Sequence, residues 1–234
     1  MTRLLRSTTA ISSFLDDPLL NHLSPLEKEK LREHSYYRTY AKGQILFDNG
    51  DARDRIYFLC SGLIRIESDD QQAEFTYIDY ISGRQFFPYG GLFKDKSYRY
   101  GAEALTPIEV IYIPTTFFES FVKDNQNFLI DMYIHLSDVL YYHELRVRHT
   151  TTSSATDRVM QSLAIWCRDL GVTQDQDKRG IDYPLTIIEL ARMSGTTRET
   201  ASRVVAQLKK EGKLSYRQKL FTFEDIPYFE KFLD

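Results

Sequence analysis

From residue 186 onward, apolar side chains fall every three or four positions in two short runs. Ile187, Leu190, Ala191 and Met193 make the first, Ala201, Val204, Val205 and Leu208 the second, and Gly195 lies between them. That spacing predicts two amphipathic helices joined by a tight turn. Thr186 and Glu189 stand at capping-box spacing before the first helix, and Thr196 with Glu199 predicts the same device before the second. The polar side of the second helix carries Arg198, Glu199, Ser202 and Arg203. Arginine can donate two parallel hydrogen bonds to guanine O6 and N7, and a carboxylate can accept from cytosine N4. Two capped helices around a glycine, the second armed in this way, point to a helix-turn-helix whose second helix reads DNA bases.

Upstream the period changes. Between residues 40 and 115, runs rich in Ile, Tyr and Phe occupy 44–47, 55–59, 62–67, 74–78, 102–105 and 109–113, separated by Asp, Asn, Gly and Ser. Such runs predict a small antiparallel β-roll or jelly roll. Short helices are expected after Ser24 and over 115–122. Residues 125–148 lack Gly and Pro and place Phe128, Met132, His135, Val139 and Tyr142 at alternating spacings of four and three, while Leu129, Leu136, Leu140 and Val147 broaden the stripe. A helix apolar over more than one face needs two partners. One side is therefore assigned to the roll and the other to the same helix of a second chain, with Phe128, Met132, His135, Val139 and Tyr142 at the dimer interface; packing within one chain only is the weaker alternative.

The polar run 150–154 predicts a hinge. A helix through Val159, Leu163, Trp166 and Cys167 follows, ending at Gly171, and an Asp/Gln-rich loop leads to the helix-turn-helix. Residues 213–223 predict a two-stranded wing, and Asp225 a cap on a last short helix. The expected class is α+β, with an effector-type antiparallel β-roll (jelly roll) and flanking helices over residues 1–122, a long central dimerisation helix over 123–150, and a C-terminal winged helix-turn-helix DNA-binding domain over 151–234.

Charge locates the contact surface. The 234 residues carry a formal charge of −3, yet residues 192–219 hold eight Lys and Arg against Glu199 and Glu211, a local +6 that leaves −9 for the remainder. A basic face on an acidic body suits docking on phosphates through one surface. Thr186, Thr197, Lys209, Arg217 and Lys219 are expected to meet the DNA backbone. Cys60 and Cys167 lie far apart without metal-ligand spacing, so buried free thiols and no metal site are expected. No apolar stretch approaches the ~20 residues of a membrane span, and a cytoplasmic protein without membrane contact is expected. No His falls between His34 and His135, which removes the inward-facing ligands that a metal-dependent jelly-roll enzyme needs. A winged helix used against another protein instead of DNA is the remaining rival, and it would show neither a steep salt dependence nor base preference.

The order of roll, long helix and winged helix resembles the Crp/Fnr family of transcription regulators, as do Lys42-Gly43, Leu46-Phe47, Gly50-Asp51, Ile56-Tyr57 and Gly62-Leu63-Ile64 in the roll and Arg198-Glu199-Thr200 with Ser202-Arg203 in the second helix. The resemblance implies a homodimer on double-stranded DNA, a palindrome of the type TGTGA-N6-TCACA, and RNA polymerase as a partner if the protein activates. Ser202 is also similar to the branch that reads TTGAT. Cyclic-nucleotide binders of this family carry a Phe-Gly-Glu-Leu cassette followed by Arg-Ser/Thr-Ala, whose Glu holds the ribose and whose Arg holds the cyclic phosphate. Here the stretch is Phe87-Pro88-Tyr89-Gly90-Gly91-Leu92-Phe93 and then Arg99-Tyr100-Gly101. Tyr89 replaces the ribose carboxylate, so tight binding of cyclic AMP is not expected, and no cofactor is implied. Tyr89, Arg99 and Tyr100, with Phe86, Phe87, Phe93 and Tyr98 nearby, mark either an aromatic pocket for a small anionic organic molecule or a filled core.

Overall fold

The computed structural model describes residues 2–69, 76–150 and 154–233. The chain groups into two compact units, one from Met1–Asp70 and Asp79–Val139, the other from Gln71–Ile78 and Leu140–Asp234. Among the described residues no helix is long and apolar enough to cross a membrane.

In chain order the first part runs α1 (Thr2–Leu15), a 3-10 turn (Pro18–Leu20), α2 (Pro25–Glu33), β1 (Tyr36–Tyr40), β2 (Ile45–Phe47), β3 (Arg55–Ser61), β4 (Ile64–Asp69), β5 (Thr76–Ile81), β6 (Gln85–Phe87), β7 (Gly101–Ala104), β8 (Ile108–Pro114), α3 (Thr115–Asp124) and α4 (Gln126–Thr150). The strands form two four-stranded sheets, β1-β8-β3-β6 and β2-β7-β4-β5, paired antiparallel at β1–β8, β3–β8, β3–β6, β2–β7 and β4–β7. This is the expected roll.

Strands β3 and β8 lie inside the first sheet and are covered on both faces, with Ile56, Tyr57, Phe58, Leu59, Val110, Ile111 and Ile113 all buried. Strands covered on both faces lose polar alternation, which is why these two read as continuous apolar runs. Register sorts their side chains. Phe58 lies opposite Phe86 and Ile111, whereas Tyr57 lies opposite Phe87 and Tyr112. The Phe58 side packs with Phe14 and Leu15 of α1, Phe118 and Val122 of α3, and Phe128 and Met132 of α4. The Tyr57 side faces the roll interior, where ring centroids lie 3.8 Å apart for Phe47 and Tyr98, 5.3 Å for Tyr57 and Phe87, and 5.7 Å for Phe47 and Tyr57. The β3–β4 turn needs its glycine, since Gly62 has φ +97° and a Cβ there would sit 2.6 Å from the Pro107 carbonyl oxygen.

Three elements escape the apolar pattern. Helix α1 spans a stretch rich in Ser and Thr, and tertiary contacts hold its end. The Lys28 Nζ donates to the Leu15 carbonyl at 2.7 Å, while Arg84 donates from Nε to Asp17 at 2.6 Å and from Nη2 to the Ser13 carbonyl at 2.8 Å. Strand β1 reads as polar because it is an edge strand with one buried residue, Tyr40. Strand β6 is too short to show a period. Residues 74–75 of the strand expected at 74–78, and 151–153 of the expected hinge, lie outside the described residues.

The main correction concerns α4. Phe128 is 2% exposed and Met132 is buried, both in the core against the roll. The His135 ring sits 4.5 Å from that of Tyr89, and burial holds its imidazole below the ordinary value. Val139 is half-buried on the same stripe. Phe128, Met132 and His135 therefore pack within the chain and leave no open face there for a second copy; Tyr142 lies on the same helix, but its side chain is outside those described. The open face is Leu129, Tyr133 at 69% exposure, Leu136 and Leu140, flanked by Ile130, Ile134 and Tyr141.

The second part continues with α5 (Ala155–Asp169), β9 (Gly171–Asp175), β10 (Lys178–Ile181), α6 (Ile187–Met193), α7 (Arg198–Lys210), β11 (Leu214–Arg217), β12 (Leu220–Phe223) and α8 (Ile226–Glu230). Here the expected loop is a β-hairpin, and the expected two-stranded wing belongs to a four-stranded sheet, β11-β12-β10-β9. Strand β9 is the sheet's edge and exposes Val172 to Asp175, so its composition is that of a loop. The core is built on Trp166, edge-on to Phe221 at 5.4 Å. Burial pushes the thiols of Cys60 and Cys167 up to about 11, so both stay protonated at neutral pH.

Candidate nucleic-acid interface

The helix-turn-helix forms where the pattern placed it. Thr186 caps α6 in a full capping box, its hydroxyl accepting from the Glu189 N–H while Glu189 accepts from the Thr186 N–H at 2.8 Å and from its hydroxyl at 3.1 Å. Both donors of Thr186 are thus occupied, and a phosphate would have to replace the Glu189 carboxylate to reach them. Helix α7 is capped one residue later than expected. Thr197, not Thr196, accepts from the Thr200 N–H, and no reciprocal box forms. Glu199 instead takes hydrogen bonds from its own backbone N–H and from Thr197, which hold its carboxyl below the ordinary range and keep it an ionised acceptor.

Ala201, Val204, Val205 and Leu208 are buried along one side of α7. The opposite side leaves Arg198, Glu199, Ser202, Arg203 and Lys209 exposed. Positions i, i+1, i+4 and i+5 share a helix face, so the four expected base-reading side chains form one exposed patch at the N-terminal end of the helix. Small residues permit close helix crossing, and Ala191 of α6 and Ala201 of α7 are both buried at this packing.

The turn itself is held from α5 by residues that the pattern did not single out. Gly195 adopts φ +55°. Arg158 donates from Nε to the Ser194 carbonyl and from its Nη2 to the Gly195 carbonyl, each at 3.0 Å. Ser194, buried, donates its hydroxyl to the Leu190 carbonyl at 2.6 Å, and the Ser162 hydroxyl lies 2.9 Å from the same Ser194 oxygen. Arg158 and Ser162 stand four apart on a helix that buries Val159, Met160 and Leu163, and polar residues at helical spacing beside a buried side are the signal that could have found them. Arg158→Ala is expected to lower stability by about 2 kcal/mol, because two carbonyls lose a charged donor. It should also weaken specific DNA binding more than non-specific binding. Denaturant melts and anisotropy titrations check this, and an unchanged affinity ratio would remove Arg158 from positioning the recognition helix.

At the wing, Arg217 pairs with Leu220 across a two-residue loop in which Gln218 and Lys219 have φ +51° and +67°. Two successive left-handed residues give the turn that matches the twist of a hairpin. The Lys219 carbonyl accepts from the Leu185 N–H at 2.8 Å, and the Tyr216 hydroxyl donates to the Leu185 carbonyl at 3.3 Å. The wing tip, with Arg217 and Lys219 exposed, is thereby fixed beside the start of α6.

The three expected effector residues do not converge. Tyr89 packs with the helix-side core and the His135 ring. Arg99 is exposed and ion-paired with Asp95. Tyr100 approaches Phe47, 6.1 Å between centroids, on the interior side of the roll. Tyr89 follows β6 and Tyr100 precedes β7, so strand alternation fixes neither, and their contacts lie with the helix-side core and the interior rings respectively.

Two family models match: a cyclic nucleotide-binding domain over residues 37–125 and a Crp-like helix-turn-helix domain over residues 157–232. The HTH-type transcriptional regulator ArcR of Staphylococcus epidermidis is 29% identical over 181 residues, covering 77% of this chain and 78% of its own length. ArcR of Staphylococcus aureus is 27% identical over 202 residues, 86% and 83% of the two chains. Among solved structures, FixK2 from Bradyrhizobium japonicum superposes with a TM-score of 0.72 at 18% identity, over 85% of this chain and 96% of that one. A CooA mutant from Carboxydothermus hydrogenoformans gives 0.70 at 20% identity, over 94% of each. At such identities the structural likeness speaks for the fold.

Proposed function

Because this chain belongs to the Crp/Fnr family of transcription regulators, we propose that it works as a homodimer that reads a TGTGA-N6-TCACA-type palindrome without cyclic AMP. The observation that carries this reading is the single exposed patch of Arg198, Glu199, Ser202 and Arg203 on a capped helix whose other side is buried. Arg198 and Arg203 donate to guanines, Glu199 accepts from a cytosine, and Ser202 contacts a neighbouring base edge. Thr197, Lys209, Arg217 and Lys219 fix the register on the phosphates, and Thr186 joins them only by releasing Glu189. The open apolar side of α4 supplies the two-fold that sets two recognition helices ~34 Å apart for successive major grooves. In functional terms residues 1–122 are the effector-type domain, 123–150 the dimerisation segment and 151–234 the reader. RNA polymerase is the further partner when the protein activates.

Independence of cyclic AMP is supported by the roll. Tyr89 stands where the resemblance implies the ribose carboxylate and turns to the helix-side core, Arg99 is taken by Asp95, and stacked Phe47, Tyr57, Phe87 and Tyr98 occupy the interior. Fluorescence anisotropy against the palindrome and a scrambled duplex at physiological salt is expected to give specific binding that is unchanged by saturating cyclic AMP. Equal affinity for the two duplexes would remove the base-reading assignment, and a tenfold gain with the nucleotide would overturn the independence.

A further inference from the structure

Arg53 of the roll is buried, yet two of its charged donors have no hydrogen-bond partner among the described residues. It sits between β2 and β3, where its backbone N–H donates to the Lys96 carbonyl at 2.9 Å, and it is 5% exposed. Its Nη1 donates to Glu119 of α3 at 3.1 Å, and the same Glu119 oxygen accepts from the Phe93 N–H at 2.8 Å. The Nε and Nη2 atoms are buried and have no hydrogen-bond partner among the described residues. These two nitrogens carry the parallel N–H pair along one edge of the guanidinium, the edge that receives both oxygens of a carboxylate or two oxygens of a phosphate. Burying charged donors without acceptors is costly, and folded proteins rarely leave them so without water, an ion or a ligand to meet them.

The surroundings narrow the choice. Arg53's positive charge reaches Tyr98, Tyr100 and Asp95. Tyr98 already donates its hydroxyl to the Arg55 carbonyl and stacks on Phe47, which fixes its ring. Asp95 is committed to the exposed Arg99, which leaves Arg53 as the buried cation with donors to spare on this side of the roll. A buried guanidinium with one carboxylate partner and two unmet donors favours an incoming anion, and Tyr98 and Tyr100, within reach of its charge, supply aromatic surface for an organic body.

We infer that the free guanidinium edge of Arg53 is an anion-recognition site of the roll, taking the oxyanion of a small organic molecule, at a position other than Arg99, where family resemblance puts a cyclic phosphate. The inference rests on the roll's role as an effector domain within the proposed regulator. A ligand here closes the fork and, through Glu119, bears on α3 and on the 93–97 backbone.

The test uses the full chain and titration calorimetry with sodium benzoate, sodium acetate and inorganic phosphate at constant ionic strength. Three proteins are compared: wild type, Arg53→Lys, which keeps the charge beside Glu119 but lacks the fork, and Arg99→Lys. At least one probe is expected to bind wild type and Arg99→Lys with saturable one-to-one stoichiometry and to bind Arg53→Lys at least tenfold more weakly, while the three proteins unfold at similar temperatures. Benzoate or acetate as the probe that binds assigns a carboxylate; phosphate alone assigns a phosphate group. Absence of saturable binding by all three probes, or equal binding to Arg53→Lys, overturns the inference. Anisotropy on the palindrome run with the same samples separates this failure from that of the regulator reading, since specific DNA binding without anion binding leaves the latter standing.

Discussion

Arg203→Ala is expected to lower affinity for the palindrome by about 1–3 kcal/mol per half-site, hence roughly thirtyfold or more for a dimer, with little change on a scrambled duplex. The size follows from what is lost. Arg203 stands exposed one turn into α7, on the side opposite the buried Ala201, Val204 and Val205, so the change leaves the packing of the helix intact. On the proposed reading, what disappears is one bidentate base contact and one charge. Lys209→Ala and Lys219→Ala form the contrasting pair. A phosphate contact carries no sequence information, so each should weaken both duplexes alike and reduce the salt slope by about one counterion per site removed. Anisotropy titrations between 50 and 200 mM salt, about the range over which such slopes are resolved, separate the two patterns. Equal losses on both duplexes for Arg203→Ala would place this side chain on the backbone.

What could be read from the sequence followed the strength of the local constraints. The helix-turn-helix was legible because Thr186 and Glu189 form their cap within four residues, and because Ala201, Val204, Val205 and Leu208 face one way. The central roll strands were legible because β3 and β8 are covered on both faces. Elements stabilised from a distance were not. Helix α1 depends on Lys28 and Arg84, and β9 is recruited by pairing with β10 at a sheet edge. The effector trio shows a related limit: Tyr89, Arg99 and Tyr100 are near in sequence, yet Tyr89 contacts the helix-side core and Tyr100 the interior ring of Phe47. Arg53, with the unused donors, carries no motif and shows its imbalance only through its burial.

Helix α4 shows the limit of periodicity most directly. Phe128, Met132, His135 and Val139 recur at spacings of four and three, and so do Leu129, Tyr133, Leu136 and Leu140. Two stripes of one period on one helix are equivalent until something else occupies a side, and the roll takes the first with Phe86, Phe118 and Phe121 around Phe128. The second stripe is then the one left exposed, and the proposed dimer would form there. Leu136→Glu is accordingly expected to give a folded monomer, because it adds a charge where the protomer is already open to solvent and a dimer would bury it unpaired.

Specific affinity for the palindrome should then fall about a thousandfold or more, toward the non-specific range, since a single half-site supplies only part of the contacts. Phe128→Ala predicts the opposite combination. Truncating a phenylalanine packed in the protomer core should cost about 3–5 kcal/mol of stability and leave the monomer–dimer equilibrium of the folded fraction unchanged. Sedimentation equilibrium and anisotropy on the two variants read both quantities. A dimeric Leu136→Glu protein with full affinity would mean that the open stripe of α4 is not the subunit interface, and the two-fold of the palindrome would then have to arise from another surface of the chain.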